Sequence, residues 1–210
     1  MSNTEMNIKN SSSKSLVYKN IYWYRTLLNI LYFGKYYSKF KDIISLFEKD
    51  TKCVVELCFG DILIADYCRQ NKIEWIGYDT NESFVKHATI KLFNAVKLDI
   101  MQISCFPEVD VCIISAALYH FYDNLEILFK KMLLCAPLII ISEPVNNICS
   151  YNRLTQYIAG KCSNAGYGDE FFRFNEKSLI ENIETLKKTF NFSYEVVSIK
   201  REMLVKIYRK

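Results

Sequence analysis

Residues 54–61 read VVELCFGD, an apolar run that carries one carboxylate at Glu56 and then turns through Gly60 to Asp61. Valine and leucine favour a strand buried on both faces, and glycine supplies the turn that leads into a helix. The following apolar run ends in GYD at 77–79, which puts Asp79 nineteen residues beyond Gly60. That is close to the spacing of about 20 residues at which a carboxylate meets ribose hydroxyls in a nucleotide-binding βαβ unit. A dinucleotide site needs glycines at the first, third and sixth turn positions, but Cys58 and Leu63 occupy the first and last of these. A carboxylate at Asp61 would compete with a pyrophosphate for the helix start, whereas an amino group or a sulfonium would be welcome there. The turn favours a cationic nucleoside without phosphate.

Outward from this unit the chain alternates β-rich runs with helical stretches, the pattern of a parallel sheet covered by helices. Strands are expected at 53–57, 74–78, 95–98, 109–115 and 138–142, and helices at 61–70, 83–90, 124–134 and 148–159. A helix at 176–190 is followed by two alternating runs, 192–199 and 202–208, separated only by Lys200 and Arg201, hence a hairpin. Residues 1–15 look disordered. Residues 16–48 read as helical and carry an unusual aromatic load, from Tyr18, Tyr22 and Trp23 to Tyr37 and Phe40. Packing on the sheet, a lid over a ligand and an interfacial membrane helix are all compatible with it. The expected division is a disordered start with an aromatic-rich helical cap over 1–51 and a ligand-binding α/β domain over 52–210.

Composition narrows the function. Half of the 210 residues are hydrophobic, 24% are charged, and the mean hydropathy is 0.00, enough for a substantial core and unlike a disordered chain. The longest apolar runs, 132–141 and 111–118, fall short of the roughly 18 residues that cross a bilayer. The polar start MSNTEMNIKNSSSKS lacks the features of a secretory signal, so the protein is expected in the cytoplasm without stable membrane insertion. Residues 1–52 carry nine basic against four acidic side chains, 53–150 seven against twelve, and 151–210 eleven against seven. Basic flanks thus surround an acidic centre, with no arginine-rich arm to suggest nucleic acid. Of the eight cysteines only Cys53 and Cys58, spaced by four, approach a zinc-like spacing, inside an apolar strand pattern, and most of the eight read as small buried hydrophobes.

Taken in order, VVELCFGD at 54–61, GYDTN at 77–81, LDI at 98–100, DVCIISAALYHF at 110–121 and LIIISEP at 138–144 resemble the five motifs of the class I S-adenosylmethionine-dependent methyltransferases. The resemblance runs from about Lys52 to the final hairpin. It implies a Rossmann-like α/β sandwich with a seven-stranded sheet, mostly parallel and closed by an antiparallel C-terminal hairpin. S-adenosylmethionine is the cofactor it implies, with S-adenosylhomocysteine as product. Carried over, Glu56, Cys58, Gly60 and Asp61 line the methionine end, Asp79 with Thr80 the ribose, and Asp99 with Ile100 the adenine. Ser115 and Ala116 would lie near the sulfonium. The family usually has glycine at the positions of Cys58 and, often, Ile62.

Methyl transfer to a hydroxyl requires a positioned base, and open α/β sheets place such groups beyond their strand ends. His120 directly follows the fourth strand and is the candidate general base, with Tyr119 a weaker one. Glu143, at the end of the fifth strand, either orients the acceptor or anchors its loop. Tyr37, Asn147 and Arg173 are the candidate acceptor contacts, and no metal site is indicated. His87, mid-helix, is read as facing solvent. SAALYHF replaces the Pro-Pro-Tyr/Phe-type motif of nucleic-acid adenine methylases, which favours a small-molecule acceptor. Basic flanks suggest an oxygen acceptor that is anionic or nucleotide-linked, such as a precursor of cell-surface polysaccharide, and the richness in Lys, Asn and Ile resembles bacterial proteins of AT-rich genomes. A protein that only binds the cofactor or its product, or an NAD-dependent oxidoreductase, are the alternatives.

Overall fold

The computed structural model describes residues 21–146 and 172–210. Its centre is a seven-stranded sheet: β1 (Cys53–Leu57), β2 (Glu74–Asp79), β3 (Asn94–Lys97), β4 (Val111–Ser115), β5 (Leu138–Pro144), β6 (Phe192–Ile199) and β7 (Glu202–Arg209). They lie in the order β3-β2-β1-β4-β5-β7-β6, parallel from β3 to β5 and antiparallel in the β6–β7 hairpin. The strands the sequence predicts are all present within a residue or two. β1 and β4 are buried along almost their whole length, as unbroken apolar runs require when helices cover both faces. Strand order reverses between β1 and β4, and the crevice beyond their C-terminal ends is where such sheets bind ligands.

One face of the sheet is covered by α1 (Ile21–Leu31), α2 (Tyr36–Ile44), α3 (Leu63–Gln70) and α4 (Glu82–Ile90). The other carries α5 (Leu125–Cys135) and α6 (Glu176–Thr189). Ile21, Tyr36, Phe40 and Ile43 share one cluster with Val54, Ile64 and Ile140, so the N-terminal helices build core rather than a separate layer. Gly77 carries the sheet past a bulky ring: a Cβ there would fall 2.1 Å from the Trp75 side chain. No described helix is long and apolar enough to cross a membrane.

Three local readings change. The aromatic segment is two helices, because α1 stops where Phe33 adopts φ 49° and Gly34 φ 76°. Phe33 N donates to Ile30 O at 3.0 Å and Gly34 N to Asn29 O at 2.8 Å, the paired bonds of a left-handed helix end. α3 starts at Leu63 rather than at Asp61, whose carboxylate is drawn into other bonds. A 3₁₀ segment, Leu118–Asn124, leads into α5. Cys105 is exposed, whereas Cys68, Cys112 and Cys135 are buried as expected. The helix expected at 148–159, Asn147, and the disordered start expected over 1–15 all lie outside the described residues.

Candidate functional site

The turn after β1 is built by Asp79. Its Oδ2 accepts from Gly60 N at 3.0 Å and its Oδ1 from Asn81 N at 2.7 Å, so one carboxylate ties the β1 turn to the β2 end. Asn81 in turn caps α4 by accepting from Ser83 N at 3.0 Å. Cys58 stands at φ 54° and Gly60 at φ 56°, left-handed conformations that cost a Cβ-bearing residue strain. At Gly60 a Cβ would also fall 2.8 Å from the Tyr24 hydroxyl. Burial, then the Asp79 and Asp99 carboxylates, push the Cys58 thiol well above its ordinary range, which leaves it protonated and unsuited to nucleophilic work.

Glu56 lies at the foot of this turn, 1% exposed. Trp75 Nε1 donates to its Oε2 at 2.8 Å, while Oε1 is enclosed without a partner among the described residues. Burial raises the Glu56 carboxyl well above the usual carboxylate range. Asp99, half-buried, accepts from Met101 N at 2.9 Å. Lys131 is buried and donates to the carbonyls of Ile100 and Met101, each at 3.0 Å, which fixes the loop after β3. Thr80 is half-buried beside Asp79, and Ile100 is 2% exposed in the core.

Beyond β4, Ala116 takes φ 53° and its N–H donates to Ser142 O at 2.7 Å, so the strand ends sharply beside β5. Tyr119, His120, Glu143 and Arg173 converge at this edge. The His120 ring centroid lies 4.0 Å from that of Tyr119, and the Arg173 guanidinium carbon 4.1 Å from the same Tyr119 centroid. Glu143 accepts from Leu118 N at 3.0 Å, and its Oε1 is buried without a partner among the described residues. Burial pushes its carboxyl up to about 8, against the opposing pull of the Leu118 amide. Glu143 protonates near 4.5 when unfolded, so between that pH and about 8 the folded state holds the extra proton. Stability therefore falls as pH rises through this window. Glu143→Gln, which mimics the protonated form, is expected to flatten that decline in urea titrations from pH 5 to 8; an unchanged slope would refute the assignment.

The two N-terminal helices supply groups the sequence did not reveal. Arg25 donates to both Asp61 oxygens, at 2.9 and 2.6 Å, and Tyr36 OH and Ile62 N add bonds at 3.1 and 2.7 Å. Asp61 is thus engaged from α1 and α2. Lys39 Nζ lies 3.4 Å from Ser115 Oγ and 3.5 Å from Glu202 Oε1, and Glu202 also accepts from Tyr32 and Ser142. The one signal for these partners was the aromatic load itself, since an arginine or lysine within it must find an anion. Tyr37 is half-exposed, edge-on to Tyr36 at 5.4 Å. His87 does not face solvent freely: its Nε2 is enclosed without a partner among the described residues, and burial, then Arg25, lower its pKa. Among the described residues no group of three His, Cys, Asp or Glu side chains is arranged to hold a metal.

No family model matches the sequence, and no curated protein does either. Solved structures do match. A SAM-dependent methyltransferase from Archaeoglobus fulgidus is 17% identical, with a TM-score of 0.62 over 89% of this chain and 99% of that one. A Haloferax volcanii methyltransferase, solved with its Trm112 activator, is 10% identical, with a TM-score of 0.66 over 94% and 99%. Magnesium protoporphyrin IX methyltransferase (ChlM) from Synechocystis PCC 6803, solved with bound SAH, is 13% identical, with a TM-score of 0.59 over 87% and 85%. Strand order, hairpin and crevice agree with these likenesses: the chain has the Rossmann-like fold of the class I S-adenosylmethionine-dependent methyltransferases.

Proposed function

We propose that the protein transfers a methyl group from S-adenosylmethionine to a hydroxyl oxygen of a small, polar, anionic acceptor. The observation that carries the cofactor is Glu56, a buried carboxyl whose Oε1 has no partner among the described residues, at the foot of the β1 turn. An ammonium donor would satisfy that oxygen and favour its ionised form. Asp79 and Thr80 serve the ribose, the loop of Asp99 and Ile100 the adenine, and Ser115 with Ala116 the sulfonium end. When bound, that cofactor supplies an electrophilic methyl whose carbon–sulfur electron pair leaves with the thioether as the new oxygen–carbon bond forms.

His120 takes the acceptor's hydroxyl proton in this scheme, and Glu143 with Arg173 holds the Tyr119–His120 segment at the strand edge. His120→Ala is expected to lower turnover by about 10²- to 10⁴-fold on a hydroxyl acceptor while leaving SAH affinity unchanged. Unchanged turnover would remove His120 from the role. A binding-only reading has one observation in its favour, the Cys58 side chain held at a left-handed position in the cofactor turn. Label transfer from methyl-labelled S-adenosylmethionine to a panel of sugars, sugar phosphates and nucleotide sugars separates the two. Transfer to anionic members supports the proposal, including its extension to cell-surface precursors. Tight SAH binding without transfer to any member favours the silent reading.

A further inference from the structure

Among the buried residues of α5, Lys131 is the one charged side chain, at 7% exposure. Burying an ammonium is costly unless its donors are met, and no carboxylate meets these among the described residues. Its partners are instead two consecutive backbone carbonyls, Ile100 O and Met101 O, each at 3.0 Å. A leucine or methionine would fill the same place in the core without that cost. What the lysine adds is a fixed position for the loop after β3.

The rest of that loop is braced around Asp99. Leu98 N donates to Asp79 O at 3.0 Å, which anchors the loop to the end of β2, and Gln102 N donates to Asp99 O at 2.9 Å. Asp99 Oδ1 accepts from Met101 N at 2.9 Å, while its Oδ2 has no donor among the described residues. Met101 is thus gripped twice, by its carbonyl from Lys131 and by its amide from Asp99. Asp99 also lies near enough to the β1 turn to act on the Cys58 thiol together with Asp79. Adenine offers a carboxylate the N–H of its exocyclic amine, whereas hypoxanthine has a carbonyl oxygen there, which a carboxylate repels. A site built to bond a donor rejects the analogue that lacks it only if the acceptor is held in place. Resting on the S-adenosylmethionine reading, in which the loop of Asp99 and Ile100 serves the adenine, we infer that Lys131 is a positioning residue for base recognition: by pinning the carbonyls of Ile100 and Met101 it fixes the Asp99 carboxylate and so sets a preference for adenine over hypoxanthine.

Calorimetric titration of the full chain with SAH and with its hypoxanthine analogue, S-inosylhomocysteine, tests this. The wild type is expected to favour SAH by at least about tenfold, the scale of one hydrogen bond to a charged group. Lys131→Met, of similar length but without donors, is expected to bring the two affinities within about threefold of each other, chiefly by weakening SAH. A general loosening of the core would instead weaken both ligands alike, so a folded Lys131→Met that keeps the wild-type ratio overturns the inference. A wild type that binds both ligands equally overturns it too. Should Lys131→Met not fold, Lys131→Gln, whose shorter amide cannot span both carbonyls, is expected to give an intermediate ratio, and the wild-type ratio there overturns the inference as well. A wild type that binds neither ligand removes the S-adenosylmethionine reading itself, whereas SAH binding with an unchanged ratio removes only the role of Lys131.

Discussion

Arg25→Met is expected to lower unfolding free energy by about 3 kcal/mol, the lower end of what is lost when one partner of a buried ion pair is removed. Asp61 is the reason. Its side chain has 0% exposure, and Arg25, itself 28% exposed, supplies two of the four donors around it. Without the guanidinium a carboxylate stays enclosed with only Tyr36 OH and Ile62 N, and it must either remain charged in an apolar setting or take up a proton. For a chain of this length the loss corresponds to a fall in Tm of roughly 6–12 °C. Arg25→Met with Asp61→Leu should recover most of it, because two apolar side chains of similar volume leave no unpaired charge. Urea unfolding of the wild type, both single variants and the double variant gives the coupling energy directly. A single-variant loss below about 1 kcal/mol, the scale of exposed pairs, would mean that the pair is solvated and not a latch between α1 and the turn after β1.

How far the sequence discloses such features depends on their range. β1, β2 and β4 were legible because a doubly buried parallel strand must be an apolar run, and the hairpin because Lys200 and Arg201 alone separate two alternating segments. The carboxylate at Asp79 was legible because a βαβ unit fixes its spacing from the glycine turn, whereas Glu56 was singled out only by the resemblance. Asp61 shows where this stops. Its position suited a helix start, yet its partner Arg25 lies 36 residues away on a helix that no local pattern docks there. Glu202 is similar: nothing in EMLVKIYR indicates that Tyr32 and Ser142 will both donate to its carboxylate. His87 was misread because helical periodicity identifies the face toward the sheet, not the face covered later by α1. The break at Phe33 and Gly34 escaped because the aromatic residues on either side continue the apolar pattern without interruption.

Asp79→Ala is expected to weaken SAH binding at least about 100-fold, equivalent to roughly 2.7 kcal/mol. Two losses combine in it. The proposed ribose contact disappears, and the amides of Gly60 and Asn81 lose the acceptor that holds the β1 turn against the end of β2. Hydrogen bonds to a charged group contribute about 1.5–3 kcal/mol each, so the turn itself is expected to loosen and unfolding free energy to fall as well. Asp79→Asn separates the two effects. An amide keeps one oxygen acceptor but turns an NH₂ toward the other backbone N–H, so it preserves volume, removes charge and retains only one of the two bonds. If Asp79 acts mainly on the turn, the Asn variant should lose stability and affinity together, each by a part of the Ala effect. If it also holds the ribose, affinity should fall further than stability predicts, since a diol donates better to a carboxylate than to an amide oxygen. Calorimetric titration with SAH at a temperature where each variant remains folded measures the first quantity and urea unfolding the second. Affinity within threefold of wild type in folded Asp79→Ala would remove Asp79 from the ribose site and leave it as the clamp between two strand ends.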